Sequence, residues 1–129
     1  MTEGTSRKIR VLVADDHKLL REALVLMLAD EEGIEVVGEV SDGEEAVDAA
    51  RQMQPDVVLM DVSMPGMSGL EATELIKSEM PHIGVVGLSM HDPQGGPGDA
   101  MAVRADAYCR KDGNLGKLVE AIQRCRSES

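Results

Sequence analysis

Short apolar runs alternate along this chain with longer segments in which apolar residues recur at every third or fourth position. The runs occupy Ile9–Ala14, Ile34–Val40, Val57–Asp61, Gly84–Ser89 and Ala107–Arg110. Brief runs rich in β-branched residues are typical of buried strands, and a spacing of about 3.6 residues is typical of amphipathic helices. The pattern therefore predicts strands that alternate with helices.

The helical segments between the runs carry recognisable start signals. Helices are predicted from His17 to about Glu31, from Ser41 to about Met53, from Ser68 to about Met80 and over Leu115–Cys125. Ser68 is followed three residues later by Glu71, which is the capping-box pattern. Ser41 and Glu44 repeat that pattern. Strands that alternate with such helices predict βαβ units, and hence an α/β fold with a parallel sheet covered on both faces.

The segment after the fourth strand departs from this alternation. Residues 93–98 contain three Gly and two Pro where a helix is expected to start. In a helix interior, Gly costs about 1 kcal/mol and Pro about 3 kcal/mol relative to Ala. The fourth helix is therefore predicted to be short, about Asp99–Arg104, or irregular.

Length and composition indicate one domain with an aliphatic core. The chain has 129 residues, of which 43% are apolar and only Tyr108 is aromatic among Phe, Trp and Tyr. Residues 9–126 are predicted to form the domain, with residues 1–8 and 127–129 as tails. A chain of this size buries roughly two thirds of the surface that it exposes when unfolded. The sequence contains no apolar run long enough for a transmembrane helix, so no membrane association is expected.

The net charge limits the partners that this chain can bind. It carries 24 acidic and 13 basic residues, for a formal charge of −11. Such a surface repels phosphate backbones and anionic lipids, so direct binding to nucleic acid is not expected. Cys109 and Cys125 do not have the spacing of a disulfide framework or a zinc site, and reduced thiols in a cytoplasmic protein are the expected state.

Four of the runs end in residue types that a phosphoryl-transfer site needs. Asp15 and Asp16 follow the first run, Asp61 ends the third, and Ser89 and Lys111 come at the ends of the fourth and fifth. The carboxyl ends of parallel strands form the edge at which α/β proteins bind ligands. Clustered carboxylates repel one another unless they share a cation, and oxygen ligands beside a phosphate favour Mg²⁺.

In this interpretation Asp61 is a nucleophile that becomes an aspartyl phosphate, while Ser89 and Lys111 contact phosphoryl oxygens. Each residue taken alone has an ordinary explanation, since Asp is a common helix N-cap and Ser or Lys at a strand end is unremarkable by itself. The combination in this order favours a site.

The motifs that carry this chemistry resemble the receiver domain of two-component response regulators, most closely the NarL-type subgroup. The matching segments are Val11–His17, Asp56–Gly69, Leu88–Asp92 and Ala105–Asp112, and the resemblance extends over residues 8–125. It implies a flavodoxin-like (βα)5 doubly wound sheet with strand order 2-1-3-4-5.

The resemblance also implies a function for the acidic residues. Asp61 would accept a phosphoryl group from the phosphohistidine of a sensor histidine kinase. Asp16, Asp61 and the backbone carbonyl of Ser63 would hold Mg²⁺, with Asp15 assisting. The domain would thereby promote its own phosphorylation and dephosphorylation without being a turnover enzyme.

Further residues match the positions that respond to the phosphate. Ser89 and Tyr108 correspond to the switch pair, in which the hydroxyl moves to the phosphoryl group and the ring turns inward. Lys111 corresponds to the phosphate-binding lysine. Ser63 and His91 occupy positions that tune how long the phosphate lasts.

The implied output is control of a partner or of an attached domain. NarL-type regulators usually carry a C-terminal helix-turn-helix DNA-binding domain, which is expected outside this chain, so transcription regulation is the implied process. The face formed by the fourth helix, fifth strand and fifth helix usually signals and forms homodimers. Residues 94–98 and Arg104 depart from the usual sequence there, and Asp112 replaces a Pro that is cis in many receivers.

Three alternatives are weighed against this interpretation. A degenerate receiver would act as a constitutive interaction module without phosphorylation. An aspartyl-phosphate phosphohydrolase would place a second Asp two residues after its nucleophile, where this chain has Ser63, and a flavodoxin would need a phosphate-binding loop where Asp15 and Asp16 stand. Asp42 also follows a strand, but that strand is expected at the sheet edge, so Asp42 is assigned to helix capping.

Overall fold

The computed structural model describes residues 8–62, 64, 67–89, 105–110 and 114–125. Within these residues the chain forms β1 (Ile9–Ala14), α1 (Lys18–Ala29), β2 (Ile34–Val40), α2 (Gly43–Met53), β3 (Val57–Asp61), α3 (Gly69–Glu79), β4 (Gly84–Ser89), β5 (Ala107–Arg110) and α4 (Leu115–Cys125). The strand boundaries predicted from the sequence are confirmed. The helix predicted near residues 99–104 lies outside the described residues, as do most of the two predicted tails.

All of the strands pair in parallel in one sheet with the order β2-β1-β3-β4-β5. This is the flavodoxin-like doubly wound order that the motifs implied. β3 lies at the centre of the sheet, where Val57 pairs with Val11 of β1 on one side and with Gly84 of β4 on the other. The carboxyl ends of β1, β3 and β4 are therefore adjacent.

The helices cover the two faces of the sheet and bury successive strand residues on opposite sides. Val11 and Val13 pack in a cluster with α1 and α4, whereas Leu12 and Ala14 pack in a second cluster with α2 and α3. All four of these β1 residues are fully buried. Burial on both faces explains why the strands read as continuous apolar runs and not as alternating ones.

Capping groups fix where two of the helices begin. The predicted capping box of α3 is confirmed, because Glu71 N donates to Ser68 Oγ at 3.2 Å and Ser68 N donates to Glu71 Oε1 at 3.1 Å. The box predicted at Ser41 and Glu44 is wrong by one residue. The N-cap of α2 is Asp42, whose Oδ1 accepts from Glu45 N at 2.8 Å.

The two cysteines lie too far apart for a disulfide. Cys109 pairs with Leu88 on β4, whereas Cys125 packs against Gly84, four positions earlier on the same strand. Four residues of a strand span about 13 Å, and a disulfide needs Cα atoms within about 7 Å. Both cysteines are free thiols, as expected. None of the helices among the described residues has the length and apolar content needed to span a membrane.

Candidate functional site

The ends of β1 and β3 bring two buried carboxylates to the same edge of the sheet. Ala14 pairs with Met60, so the residues that follow them, Asp15 and Asp61, lie side by side. Asp15 is 0% exposed and Asp61 is 3% exposed. Thr73 is the one other buried polar residue within the described part of the chain. Burial of two carboxylates at one strand end points to a site and not to ordinary surface chemistry.

Asp16 and His17 complete a cluster of possible metal ligands. One ligand atom from each of Asp15, Asp16, His17 and Asp61 lies within 4.8 Å of the others. Two unit charges at this separation repel by roughly 3.5 kcal/mol at an effective dielectric constant near 20. A divalent cation would offset this repulsion, so the donor set fits a metal ion, and we refer to the cluster as the acidic pocket.

The loop between β1 and α1 holds Asp15 in place through main-chain contacts. His17 N donates to Asp15 Oδ1 at 2.9 Å. Arg21 Nη1 donates to the carbonyl oxygen of Asp15 at 2.8 Å, and Arg21 Nε donates to Glu39 Oε1 on β2 at 2.9 Å. Arg21 therefore ties the loop to the neighbouring strand. Sequence reasoning did not identify either His17 or Arg21 as part of the site.

Gly69, the first residue of α3, lies directly against Asp61. A Cβ at Gly69 would overlap the carbonyl oxygen of Asp61, so only glycine fits at this point. Gly69 N donates to Val62 O at 3.2 Å, and Val62 N donates to Leu88 O at 3.0 Å. The start of α3 thereby fixes the main chain around the proposed phosphoacceptor.

Ser89 lies at the same edge as Asp61. Asp61 pairs with Leu88, so Ser89 is one residue further along β4, where it pairs with Arg110. Lys111 and Ser63 lie outside the described residues, so their contacts with phosphate and metal stay predictions. The role of Ser89 as a phosphate ligand also stays a prediction.

Tyr108 lies on β5 beside Gly87 and packs against the α2–α3 cluster. Its side chain is half-buried, and its hydroxyl is buried without a hydrogen-bond partner among the described residues. Gly87 precedes Ser89 by two residues on β4, so Tyr108 lies beside β4 two residues before Ser89. The pairing of Ser89 and Tyr108 as a switch stays a prediction.

Asp42 is separate from the acidic pocket, as predicted. Its side chain caps α2 at the end of the edge strand β2, and it is not among the residues that converge on Asp61. The acidic pocket is the one group of three or more metal-ligating side chains found within the described ranges.

Comparison with known proteins matches this chain to response regulators. Residues 11–123 match the family model of the response regulator receiver domain. Response regulator GacA of Pseudomonas viridiflava is 44% identical over 115 residues, which cover 89% of this chain and 54% of the relative. Response regulator UvrY of Escherichia coli strain K12 is 42% identical over 115 residues, with 89% and 53% covered. The chain thus spans about half the length of these relatives.

Solved receiver domains share the fold. The signal receiver domain of NarL from Mycobacterium tuberculosis superposes with a TM-score of 0.85 at 33% identity, covering 92% of this chain and 96% of that one. The response regulator domain of CheB from Thermotoga maritima gives a TM-score of 0.82 at 32% identity, with the same coverage. Because the family match spans residues 11–123 and carries the acidic pocket with it, the chain belongs to the response regulator receiver domain family of two-component signalling.

Proposed function

We propose that Asp61 is the phosphoacceptor of this receiver domain and that it takes its phosphoryl group from a sensor histidine kinase. The observation that carries the proposal is the burial of Asp61 beside Asp15, with the exposed Asp16 in the same cluster. An oxygen of the Asp61 carboxylate bonds to phosphorus as the bond between phosphorus and the kinase imidazole breaks. The imidazole nitrogen that leaves takes up a proton from solvent.

The acidic pocket fits Mg²⁺, which we propose as the cofactor. Asp16 and Asp61 would hold the ion with Asp15 assisting, and the carbonyl of Ser63 is the further predicted ligand. When bound, Mg²⁺ neutralises charge on the transferring phosphoryl group. The His17 main-chain N–H holds the Asp15 carboxylate and Arg21 holds the Asp15 carbonyl, so the two together keep Asp15 in position.

Two further side chains are proposed to contact the phosphoryl oxygens. Ser89 would donate its hydroxyl hydrogen, and Lys111 would supply a positive charge. A carboxylate nucleophile has no proton to lose, so transfer to it needs no separate base and depends mostly on positioning and electrostatics. The domain would act on its own Asp61 and would not turn over an external substrate. Tyr108 would then respond to the movement of Ser89.

The output that we propose is transcription regulation by a longer cytoplasmic protein. The relatives are about twice the length of the matched region, and a solved structure with a TM-score of 0.83 and 28% identity is a DNA-binding response regulator of the LuxR family from Staphylococcus aureus. A DNA-binding domain after this chain and a homodimeric active form are part of the proposal. The charge of −11 favours signalling through protein contacts and not through direct DNA contact.

The experiment is intact-mass measurement after incubation with acetyl phosphate, with and without Mg²⁺. We expect one added phosphoryl group on the wild type in Mg²⁺ and none in EDTA. Asp61→Asn should show no addition. Asp42→Asn is the matched control, because Asp42 also follows a strand but caps α2, and Asn is an equally good cap.

Equal phosphorylation of wild type and Asp61→Asn would contradict the assignment of Asp61. A degenerate receiver, which the comparisons do not support, would show no addition in any sample. Addition that does not depend on the metal would contradict the role of Mg²⁺.

A further inference from the structure

We propose that His17 adds an imidazole nitrogen to the carboxylate ligands, so that the acidic pocket binds a transition-metal ion such as Mn²⁺ through nitrogen as well as oxygen. The proposal rests on the proposed metal-binding role of the acidic pocket and extends it to a residue with no assigned function. Its consequence is metal selectivity: the pocket would favour Mn²⁺ over Mg²⁺ more strongly than carboxylates alone do.

The position of the imidazole carries the first step. His17 Nδ1 lies 3.2 Å from Asp15 Oδ1 and 3.4 Å from Asp16 Oδ1. A ring nitrogen of His17 is also within 4.8 Å of the ligand atom of Asp61. The nitrogen therefore lies close enough to the three carboxylates for a single ion to contact all four side chains with small rotations.

The local structure holds this position, and the ring's Nδ1 lies at hydrogen-bond distance from Asp15 Oδ1, 3.2 Å, a contact that a bound ion would replace. His17 is the N-cap of α1, but its side chain makes no capping hydrogen bond. Its main-chain N–H is held by Asp15 Oδ1 at 2.9 Å, which fixes the Cα next to the pocket. The side chain is 61% exposed, so the ring can turn toward an ion without disturbing the core.

The chemistry of the nitrogen decides which ions it favours. Mg²⁺ takes oxygen ligands and keeps several waters, so an imidazole adds little to its binding. Later divalent ions of the first transition row bind a given nitrogen-containing site more tightly in the order Mn²⁺, Fe²⁺, Co²⁺, Ni²⁺. Carboxylates together with an imidazole form a ligand set that suits these ions.

A different role for His17 would leave the ion bound by oxygen alone. The ring could donate a hydrogen bond to Asp15 from outside the coordination shell and only orient the carboxylate. Direct coordination and outer-shell support differ in one measurable property, which is the magnetic coupling between the imidazole ¹⁴N and a bound Mn²⁺.

The experiment is electron paramagnetic resonance of the whole chain with Mn²⁺ at pH 8. Loss of the free Mn²⁺ signal gives the Kd, and displacement by Mg²⁺ gives the Kd for Mg²⁺. Pulsed measurements on the bound ion report ¹⁴N coupling. The variants are His17→Asn, Asp61→Asn and His82→Asn. His82 is the matched control, because it is an exposed histidine whose Nε2 lies 2.9 Å from Gln54 Oε1.

We expect imidazole coupling in the wild type and in His82→Asn, and no coupling in His17→Asn. His17→Asn should weaken Mn²⁺ binding by about tenfold and Mg²⁺ binding by less than about threefold. Asn is a good N-cap, so this variant keeps the start of α1. Asp61→Asn should weaken both ions.

Two results would overturn the proposal in different ways. Mn²⁺ bound in competition with Mg²⁺, sensitive to Asp61→Asn but without imidazole coupling, would remove His17 from the coordination shell and leave the proposed function intact. Mn²⁺ binding that is insensitive to Asp61→Asn would contradict both the role of His17 and the metal site of the proposed function.

Discussion

Gly69 shows how one residue without a side chain supports the main chain at Asp61, the proposed phosphoacceptor. Its Cα lies so close to the Asp61 carbonyl that an added methyl group would overlap it. We therefore expect Gly69→Ala to lower the free energy of unfolding by about 1–3 kcal/mol, the usual cost of overpacking. It should also reduce phosphorylation by acetyl phosphate, because the main chain at Asp61 must shift. Urea unfolding and intact-mass measurement check the two effects.

Gly116 is the control for this substitution. It lies exposed in α4, where an added Cβ would make an ordinary contact of 3.6 Å with Asn114 Oδ1. Alanine in a helix is more favourable than glycine by roughly 0.5–1 kcal/mol, so Gly116→Ala should stabilise the chain slightly. If Gly69→Ala were as stable as Gly116→Ala and as readily phosphorylated by acetyl phosphate, the main chain at Asp61 would be able to shift without loss of stability or phosphorylation.

At the residue scale, the sequence predicted the carboxylates of the site but not the groups that position them. Asp15 and Asp61 could be found because each ends an apolar run, and strand ends meet at one edge of a parallel sheet. Arg21 could not be found in this way, since its two contacts reach the Asp15 carbonyl and Glu39 across separate elements. Such contacts depend on packing that no local pattern encodes.

At the element scale, Lys77 joins the end of α3 to the start of β4 and β5. Its Nζ donates to Pro81 O at 3.1 Å, Ile83 O at 2.9 Å and Asp106 Oδ2 at 2.9 Å. Asp106 Oδ2 also accepts from Val85 N at 2.8 Å. Lys77 therefore fixes Asp106, the residue directly before β5, which is the strand that carries Tyr108.

We expect Lys77→Met to lower the free energy of unfolding by about 1–3 kcal/mol, because hydrogen bonds of a charged donor are lost while the aliphatic stem is kept. Amide hydrogen exchange should accelerate at Ala107–Arg110 more than at Ile34–Val40. Lys117→Met, on the exposed side of α4, is the control. Uniform acceleration in both strands would mean that Lys77 supports global stability and has no specific effect on β5.

The pair formed by Arg51 and Glu79 joins α2 to α3 and predicts a dependence of stability on pH. Arg51 Nε and Nη2 each donate to a Glu79 carboxylate oxygen at 2.8 Å. These hydrogen bonds and the attraction of the opposite charge hold the pKa of Glu79 below its ordinary value of 4.5, against a smaller opposing effect of burial. Stability from a lowered pKa is present above the ordinary value and is lost as the pH falls through the folded value.

Thermal unfolding as a function of pH checks this expectation. Glu79→Gln should be slightly less stable than the wild type at pH 7, and the difference in Tm should shrink as the pH falls below the ordinary glutamate range. The effect is small because both side chains are largely exposed. Glu120→Gln, an exposed glutamate on α4, is the comparison. A Glu79→Gln difference that persists unchanged at low pH would rule out the ion pair as its cause.

The element boundaries were predictable because periodicity is a local property. Apolar runs gave the strands, and the box at Ser68 gave the start of α3. The N-cap of α2 was placed one residue early because Ser41 and Asp42 are both good caps followed three residues later by Glu. The structure uses Asp42, and the residue after it, Gly43, lies so close to the Met67 carbonyl that a side chain there would overlap it.

At the scale of the whole molecule, the sheet order could not be read from periodicity. The alternation of elements predicts a parallel sheet, but many strand orders are compatible with it, and the resemblance to receiver domains supplied the observed order. That order places β1 beside β3 and so joins Asp15 to Asp61 across 46 residues of chain. The strand order thus creates the acidic pocket, and the repulsion between its carboxylates lowers the free energy of unfolding of the whole domain.

The repulsion between these carboxylates predicts that Asp61, the proposed phosphoacceptor, lowers the stability of the domain when no metal is present. Asp61 takes part in two of the three carboxylate pairs of the pocket, so Asp61→Asn removes most of the repulsion. We expect Asp61→Asn to be about 1–3 kcal/mol more stable than the wild type in EDTA, since each pair repels by roughly 3.5 kcal/mol at an effective dielectric constant near 20 and solvent at the exposed Asp16 screens part of this repulsion. Mg²⁺ binding then stabilises the wild type more than the variant, which binds the ion more weakly; the gain is RT ln(1 + [Mg²⁺]/Kd), or about 2.7 kcal/mol at 100 times the Kd. The difference in the free energy of unfolding between Asp61→Asn and the wild type should therefore shrink or change sign as Mg²⁺ is added.

Urea unfolding of both proteins and of Asp42→Asn measures this difference, and Asp42→Asn should follow the wild type throughout. Lower stability of Asp61→Asn in EDTA would show that the contacts made by the Asp61 carboxylate outweigh its repulsion from Asp15 and Asp16.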